Sequence, residues 1–127
     1  MSDTPEVKLK KKLKALYKEC GVLLVQPIGT VFTQAGVHDH ILCVRGLFVS
    51  VEVKAGKGKM TPAQLEFGRM VRRSGGFAFC VNENGLDVFA DLLRGLLHPV
   101  QGNVWRGAVA IARQVTRDTF PYEENEE

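Results

Sequence analysis

Residues 39–54 read DHILCVRGLFVSVEVK, two apolar segments that flank the pair Arg45-Gly46. A glycine in such a central pair is typical of a tight turn between two antiparallel strands. The register that this turn imposes places Asp39 directly opposite Glu52. Cross-strand partners have Cβ atoms roughly 4.5–5.5 Å apart, so the hairpin is expected to bring two carboxylates together at its open end.

Alternation along the second strand separates these polar residues from the core. Because successive side chains of a strand point to opposite faces, Lys54 is expected on the same face as Glu52. The other face carries apolar side chains that build core, namely Leu47, Val49, Val51 and Val53. Asp39, Glu52 and Lys54 should therefore converge at one end of the hairpin.

Signals on both sides of the hairpin predict further helices and strands. Pro after a Thr cap indicates helix starts at Thr4 and Thr61. Gly21 is expected to end the first helix, and Gln64 completes a capping box in the second. The predicted helices span residues 5–20, 62–73, 86–97 and 104–116, and the predicted strands span 22–25, 40–44, 47–54 and 77–81.

The order of these elements predicts a mixed α/β fold. Helix 62–73 links strands 47–54 and 77–81, and a right-handed crossover of this kind places the two strands parallel. With the antiparallel hairpin, this gives a mixed sheet with helices on both faces. Residues 27–37 read as a loop, with a weak strand around 30–33.

Composition and length exclude several classes of protein. The chain has 127 residues, 45% of them hydrophobic and 24% charged, which fits one globular domain and excludes disorder of the bulk. No segment approaches the ~20 apolar residues that span a bilayer, and the N-terminus lacks a secretory signal. We therefore expect a cytoplasmic protein without a membrane partner. Its cysteines (Cys20, Cys43 and Cys80) are interpreted as reduced core thiols.

Charge is distributed unevenly along the chain. The net charge is +3, but the last ten residues hold five acids and no Lys or Arg, which leaves +8 for residues 1–117. Such a basic body suggests a polyanionic partner. A solvated Lys-rich helix face with an acidic, disordered tail explains the same distribution equally well.

The predicted carboxylate pair has a chemical implication. Two carboxylates at this distance repel each other, and a divalent cation with a preference for oxygen ligands, Mg²⁺ or Mn²⁺, relieves that repulsion. A nearby Lys54 could orient or deprotonate a water, as metal-assisted phosphodiester hydrolysis requires. The alternative is an ordinary Asp and Glu beside a strand, with Lys54 as a salt-bridge partner.

Taken in order, these residues resemble the PD-(D/E)XK nuclease superfamily, and within it the small standalone VRR-NUC proteins common in bacteriophages. The resemblance covers about residues 4–90 and implies a restriction-endonuclease-like αβββαβ core in residues 1–97. Residues 98–117 would form a helical extension and 118–127 an acidic tail. The matching segments are Thr4-Pro5-Glu6, Gly36-Val37-His38-Asp39, Glu52 to Lys59, Thr61 to Gln64, Gly75-Gly76 and Val81-Asn82-Glu83-Asn84.

The resemblance assigns a role to each residue of the site. It implies that Asp39 and Glu52 hold Mg²⁺ or Mn²⁺, with the backbone carbonyl of Val53 as a further ligand. It also implies that Lys54 is the catalytic lysine. Gln64 matches the glutamine that the family places near the site, a role compatible with its part in the capping box.

Two of the matching residues, Glu6 and His38, each have two possible roles. Glu6 matches the acid of the first helix that reaches the metal, often through water, but it also suits the positive end of a helix dipole. His38 stands where the family usually has Pro. It could touch the scissile phosphate or simply be tolerated there.

The predicted function is metal-dependent DNA cleavage by an endonuclease. The resemblance further implies selectivity for branched DNA, such as four-way (Holliday) junctions, and a place in the host-cell cytoplasm if the protein is phage-encoded. Candidate DNA contacts are Lys57, Lys59, Lys10, Lys14 and His38. A non-catalytic DNA-binding module of the same fold is the first alternative. A structural or interaction protein with a basic helix is the second.

A homodimer is also expected, since two sites would serve two strands. The predicted contact is an apolar patch on helices 86–97 and 104–116, because so small a core cannot easily bury both. The competing account is that these helices fold back over the sheet. The patch residues are Leu92, Leu93, Leu96, Leu97, Trp105, Val109 and Ile111.

Overall fold

A four-stranded mixed sheet forms the centre of the computed structural model, which describes residues 3–29, 34–97 and 103–119. The spatial order of the strands follows the chain, β1-β2-β3-β4. The first three strands are antiparallel in turn, and β4 runs parallel to β3. The strands are β1 (Leu23–Val25), β2 (His40–Val44), β3 (Leu47–Val53) and β4 (Phe77–Val81). The weak strand predicted at 30–33 lies outside the described residues.

The hairpin between β2 and β3 has the predicted register. Arg45 and Gly46 have φ angles of 50° and 82°, the left-handed pair that a type I′ turn needs to match the twist of the strands. His40 lies opposite Val51, so Asp39, the residue before β2, stands beside Glu52. The turn prediction is confirmed although a non-glycine residue occupies its first position.

Four helices accompany the sheet, and their ends follow the predicted capping signals. Thr4 caps the first helix by accepting from Val7 N at 3.2 Å, and Gly21 ends it with φ 70°. Thr61 and Gln64 form the predicted capping box at the start of the second. The helices are α1 (Pro5–Cys20), α2 (Pro62–Arg73), α3 (Leu86–Leu97) and α4 (Asn103–Thr119).

Helices cover both faces of the sheet, as predicted. On one face, α1, α3 and α4 share one hydrophobic cluster with core-facing side chains of β2, β3 and β4. On the other face, α2 packs Val71 against Ala78 of β4. The first face holds the main core, which includes Leu13, Tyr17, Val51, Val53, Phe79, Phe89 and Leu93. The prediction that Val49, Val51 and Val53 face the core is therefore confirmed.

The prediction of an exposed apolar patch on the C-terminal helices is wrong, because central residues of that patch are buried. Leu93, Leu96 and Val109 are buried in the main core, so the helices fold back over the sheet instead. Of the other members, Ile111 is 67% exposed, and the side chain of Trp105 lies outside the described residues. A helical stripe shows that a face is buried, but not which surface buries it.

Cys43 departs from the prediction of core thiols. All three cysteines are free, but Cys43 is exposed, while Cys20 and Cys80 are half-buried. Cys43 lies opposite Phe48 on the face of the sheet away from the main core, and Phe48 is exposed as well.

No helix within residues 3–29, 34–97 and 103–119 has the length and apolar character needed to cross a membrane.

Candidate functional site

Asp39 and Glu52 are held side by side by a pair of crossed hydrogen bonds. Asp39 N donates to Glu52 Oε1 at 3.2 Å, and Val53 N donates to Asp39 Oδ2 at 2.9 Å. Each carboxylate therefore accepts from the backbone of the neighbouring segment. The hairpin register brings the two acids together, and these bonds fix the direction in which they point.

The second oxygen of Glu52 meets two side-chain donors. Gln64 Nε2 donates to Glu52 Oε2 at 3.0 Å, and Lys54 Nζ lies 3.4 Å from the same oxygen. Gln64 Oε1 also accepts from Thr61 N at 2.9 Å. Gln64 therefore serves the capping box and the site at once, because its amide has an acceptor for the helix and a donor for Glu52.

Burial makes Glu52 the most perturbed acid of the site. The residue is only 3% exposed, and burial, reinforced by the charge of Asp39, raises the pKa of its carboxyl to about 7. Lys54 and the bond from Asp39 N oppose this rise but do not cancel it. A second positive charge beside Glu52 would favour its ionised form.

Lys10, a candidate DNA contact, occupies a place that the sequence did not predict. Its Nζ lies 3.1 Å from Glu6 Oε2 and 3.3 Å from Asp39 Oδ1, so it bridges the first helix and the hairpin. Burial acts to lower the pKa of Lys10, but the hydrogen bond to Glu6 and the charges of Asp39 and Glu6 outweigh it and raise that pKa. The i,i+4 spacing of Glu6 and Lys10 was the available signal, although such pairs are usually surface pairs.

The site offers oxygen atoms that suit a divalent cation, but its side chains are not already grouped around a metal position. Within residues 3–29, 34–97 and 103–119, no three His, Cys, Asp or Glu side chains form a group that could hold a metal ion. Asp39 and Glu52 are nevertheless the hard oxygen donors that Mg²⁺ and Mn²⁺ prefer. Glu6 is linked to Asp39 through Lys10, so a cation bound by both acids would displace that ammonium group.

His38 lies beneath the start of α2 rather than on the surface. Its ring is fully buried, with Nδ1 2.9 Å from Ser50 Oγ and Nε2 2.9 Å from the Gln64 carbonyl oxygen. Burial lowers the pKa of this imidazole. A contact between His38 and DNA would require the ring to leave this position. The placement instead suits a positioning residue that fixes the backbone of Gln64.

A second buried histidine lies behind Asp39. Tyr17 Oη and His40 Nδ1 are 2.9 Å apart, and His40 Nε2 has no hydrogen-bond partner among the described residues. Burial lowers the pKa of His40 to about 4, although the charge of Asp39 acts against this. The ring is therefore neutral at neutral pH. Its only sequence signal was its place in the core-facing alternation of β2.

Three of the lysines proposed as DNA contacts are exposed. Lys57 and Lys59 are exposed in the loop between β3 and α2, and Lys14 is exposed on α1. Gly56 N donates to Glu83 Oε1 at 2.9 Å, which ties this loop to the end of β4. That bond lowers the pKa of the Glu83 carboxyl. The sequence motifs placed Glu83 in a matching segment but gave it no role.

The site therefore combines a fixed carboxylate pair, two ammonium groups and an exposed basic loop at one end of the sheet. Comparison of the chain with family models, with curated proteins and with solved structures found no match in any of the three. Function must consequently be inferred from the chemistry of these residues. The position of the Val53 carbonyl relative to a metal stays a prediction.

Proposed function

We propose that this protein is a metal-dependent DNA endonuclease of the restriction-endonuclease-like class, related to the VRR-NUC branch. The observation that carries the proposal is the Asp39–Glu52 pair, fixed by crossed hydrogen bonds, with Lys54 Nζ 3.4 Å from Glu52 Oε2. The element order α1-β1-β2-β3-α2-β4 supports an αβββαβ core. A simple salt bridge between Lys54 and Glu52 would not need the carboxylate of Asp39 beside the buried Glu52.

In this proposal Asp39 and Glu52 hold Mg²⁺ or Mn²⁺, with the Val53 carbonyl and Glu6 as further candidate ligands. When bound, the ion polarises the scissile phosphate and lowers the pKa of a water. Lys54, whose Nζ lies 3.4 Å from Glu52 Oε2, would hold or transfer the proton of the attacking water.

Two neighbouring groups support this arrangement of the carboxylates. Gln64 keeps Glu52 in its orientation through the bond to Oε2. Lys10 lies 3.3 Å from Asp39 and offsets part of its charge, a role that a bound cation would take over.

The substrate class follows from charge and from the resemblance. Lys57, Lys59 and Lys14 provide exposed cations that can contact a phosphate backbone near the carboxylates. Selectivity for branched DNA, such as four-way junctions, and action in the host-cell cytoplasm are implied by the resemblance to the standalone VRR-NUC proteins. No residue of the site by itself distinguishes a junction from a duplex.

A homodimer belongs to the same proposal, with a contact different from the one expected from the sequence. The sheet face beside α2 carries exposed apolar side chains at Leu23 (64%), Val25 (51%) and Phe48 (48%). Apolar patches of this kind usually mark interfaces, and a second copy is the commonest partner. We infer that this face, and not the C-terminal helices, forms the contact.

A non-catalytic DNA-binding module is the second candidate, and two observations favour it. Lys10 already forms ion pairs with both Asp39 and Glu6, and the described residues contain no group of three side chains that could hold a metal ion. Such a site could be a stable salt-bridge cluster on a DNA-binding surface. The two candidates differ in one respect: only the nuclease should cleave bound DNA when a divalent metal is present.

The experiment that separates them is incubation with labelled linear, flap, splayed and four-way DNAs in Mg²⁺, Mn²⁺ or EDTA. The proposal predicts cleavage of at least one DNA with either metal, and intact DNA in EDTA. Asp39→Asn is the matched control, since it preserves size and removes one ligand charge. Binding of every DNA without cleavage under any condition would favour the binding module.

A further inference from the structure

The imidazole of His38 joins the hairpin to the first turn of α2. The ring is fully buried, with Nδ1 2.9 Å from Ser50 Oγ and Nε2 2.9 Å from the carbonyl oxygen of Gln64. Its centre lies 4.9 Å from the ring of Phe67, edge to face. Ser50 belongs to β3, whereas Gln64 and Phe67 belong to α2. His38 therefore spans the gap between these two elements.

The partners of the ring define which nitrogen carries the proton. A backbone carbonyl oxygen can only accept a hydrogen bond, so Nε2 of His38 donates to Gln64. In the neutral imidazole Nδ1 is then an acceptor, and the hydroxyl of Ser50 donates to it. The orientation of the imidazole is therefore fixed at both of its nitrogen atoms.

The segment before His38 lies against the same turn of α2. Gly36 has a φ of 77°, and a Cβ atom at this position would overlap the carbonyl group of Ala63. Only glycine allows the chain to approach the helix so closely in this conformation. Gly36, by contact, and His38, by its hydrogen bond, therefore hold residues 63–64 against the start of the hairpin.

This turn of α2 is the one that presents Gln64 to the carboxylates. Gln64 Nε2 donates to Glu52 Oε2 at 3.0 Å, and Asp39 N donates to Glu52 Oε1 at 3.2 Å. Asp39 follows His38 directly in the chain, so these contacts close a ring. The ring runs from His38 to Gln64, then to Glu52 and Asp39, and returns to His38. Without the bond from His38, the ring is open and the first turn of α2 can move relative to Glu52.

We propose that His38 is a positioning residue of the carboxylate site, which acts on Glu52 through Gln64. By fixing the carbonyl of Gln64, His38 holds in place the side-chain amide that orients Glu52. The inference rests on the proposed function for its effect on cleavage. Groups that orient metal ligands from behind typically contribute roughly 10- to 100-fold in metal affinity or activity.

Two substitutions of His38 separate this role from packing. The amide nitrogen of His38→Gln can take the place of Nε2 and donate to Gln64. The shorter amide of His38→Asn lies near the position of Nδ1, so it can bond Ser50 but does not reach Gln64. Thr116→Val is the matched control, because it removes another buried hydrogen bond, to the Ala112 carbonyl, beside Phe77 at the opposite end of the sheet. Circular dichroism verifies that each variant is folded.

The first measurement is single-turnover DNA cleavage in Mn²⁺, with DNA affinity measured separately in EDTA. His38→Asn should cut roughly 10- to 100-fold more slowly than the intact protein, whereas His38→Gln should recover most of the rate. DNA affinity should be the same for all variants, and Thr116→Val should cut at the normal rate. Equal rates for His38→Asn and His38→Gln would overturn the proposal, because packing alone would then explain the effect.

The second measurement is NMR, and it needs no cleavage. Long-range ¹H–¹⁵N spectra of the intact protein should show the proton of the His38 ring on Nε2, and a neutral ring with its proton on Nδ1 would overturn the proposal. The side-chain amide signals of Gln64 should persist in His38→Gln and shift in His38→Asn. Signals that are unchanged in both variants would also overturn it.

These results are distinguishable from a failure of the proposed function. Normal cleavage by the intact protein, with equal rates in the two His38 variants, would overturn only the positioning role. An intact protein that binds DNA and never cuts it would contradict the nuclease, and the NMR signals of His38 and Gln64 would still decide whether His38 positions Gln64.

Discussion

Replacing Glu52 by glutamine should change how stability depends on pH. The pKa of Glu52 is raised from 4.5 to about 7 in the folded protein, so the folded state binds its proton more tightly than the unfolded chain does. The stability that this proton contributes is therefore fully present below pH 4.5 and is lost as the pH rises through 7. The amide of the Glu52→Gln variant does not titrate, so the variant should not lose this stability as the pH rises.

The size of the effect follows from the shift. Each pKa unit corresponds to about 1.4 kcal/mol, so ionising Glu52 without a cation costs about 3 kcal/mol. For a domain of this length that is roughly 10 °C in melting temperature. The Lys54 pair exists only when Glu52 is ionised and is already included in the pKa of about 7, so the separate cost of the variant is the altered bond with Gln64, about 1 kcal/mol. The informative quantity is therefore how the difference in unfolding free energy between the intact protein and Glu52→Gln changes with pH.

The assay is urea unfolding followed by circular dichroism in EDTA, on both sides of the two pKa values. Stability of the intact protein relative to Glu52→Gln should fall by about 3 kcal/mol across this range. Glu19→Gln, which alters an exposed acid, should follow the intact protein. Mn²⁺ added above the folded-state pKa should stabilise the intact protein and not Glu52→Gln. A difference that stays flat with pH, or grows, would refute the reasoning about buried charge.

Four further outcomes are expected. Asp39→Asn should abolish cleavage while DNA affinity in EDTA stays near normal, measured by gel assay and anisotropy; full activity would contradict its role. Lys54→Ala should slow single-turnover cleavage by roughly 10²-fold, and a rate close to that of the intact protein would return Lys54 to a salt-bridge role. Lys10→Met should tighten Mn²⁺ binding in calorimetry, because Asp39 loses its competing ammonium; unchanged affinity would contradict that competition. Phe48→Glu should shift a dimer to a monomer in light scattering, and an intact dimer would exclude the sheet face as the contact.

The hairpin and the capping signals could be predicted because their determinants are local. Gly46 and the alternation of β3 fix the register, and the register alone brings Asp39 to Glu52. Thr61 and Gln64 are three residues apart, so their capping box depends on nothing distant. The parallel pairing of β4 with β3 could be predicted because a helix connects the two strands, and parallel neighbours need such a crossover connection.

Features that depend on packing between distant elements could not be predicted. Lys10 reaches Asp39 only because α1 crosses the sheet at that point, and no sequence spacing encodes this crossing. His38 stood at an unusual position in the motif, but its burial depends on where α2 begins. Leu93 and Val109 carried a clear apolar stripe whose partner, the chain's own sheet, the sequence did not specify.

The most direct test of the account is single-turnover cleavage of a labelled four-way or duplex DNA by excess protein in Mn²⁺. We expect that the intact protein cuts the DNA, that EDTA stops the reaction, and that Asp39→Asn binds the same DNA without cutting it. Cleavage that persists in EDTA, or in Asp39→Asn at the normal rate, would contradict the assignment of the carboxylate pair. The absence of any cleavage by a folded, DNA-bound protein would contradict the nuclease itself.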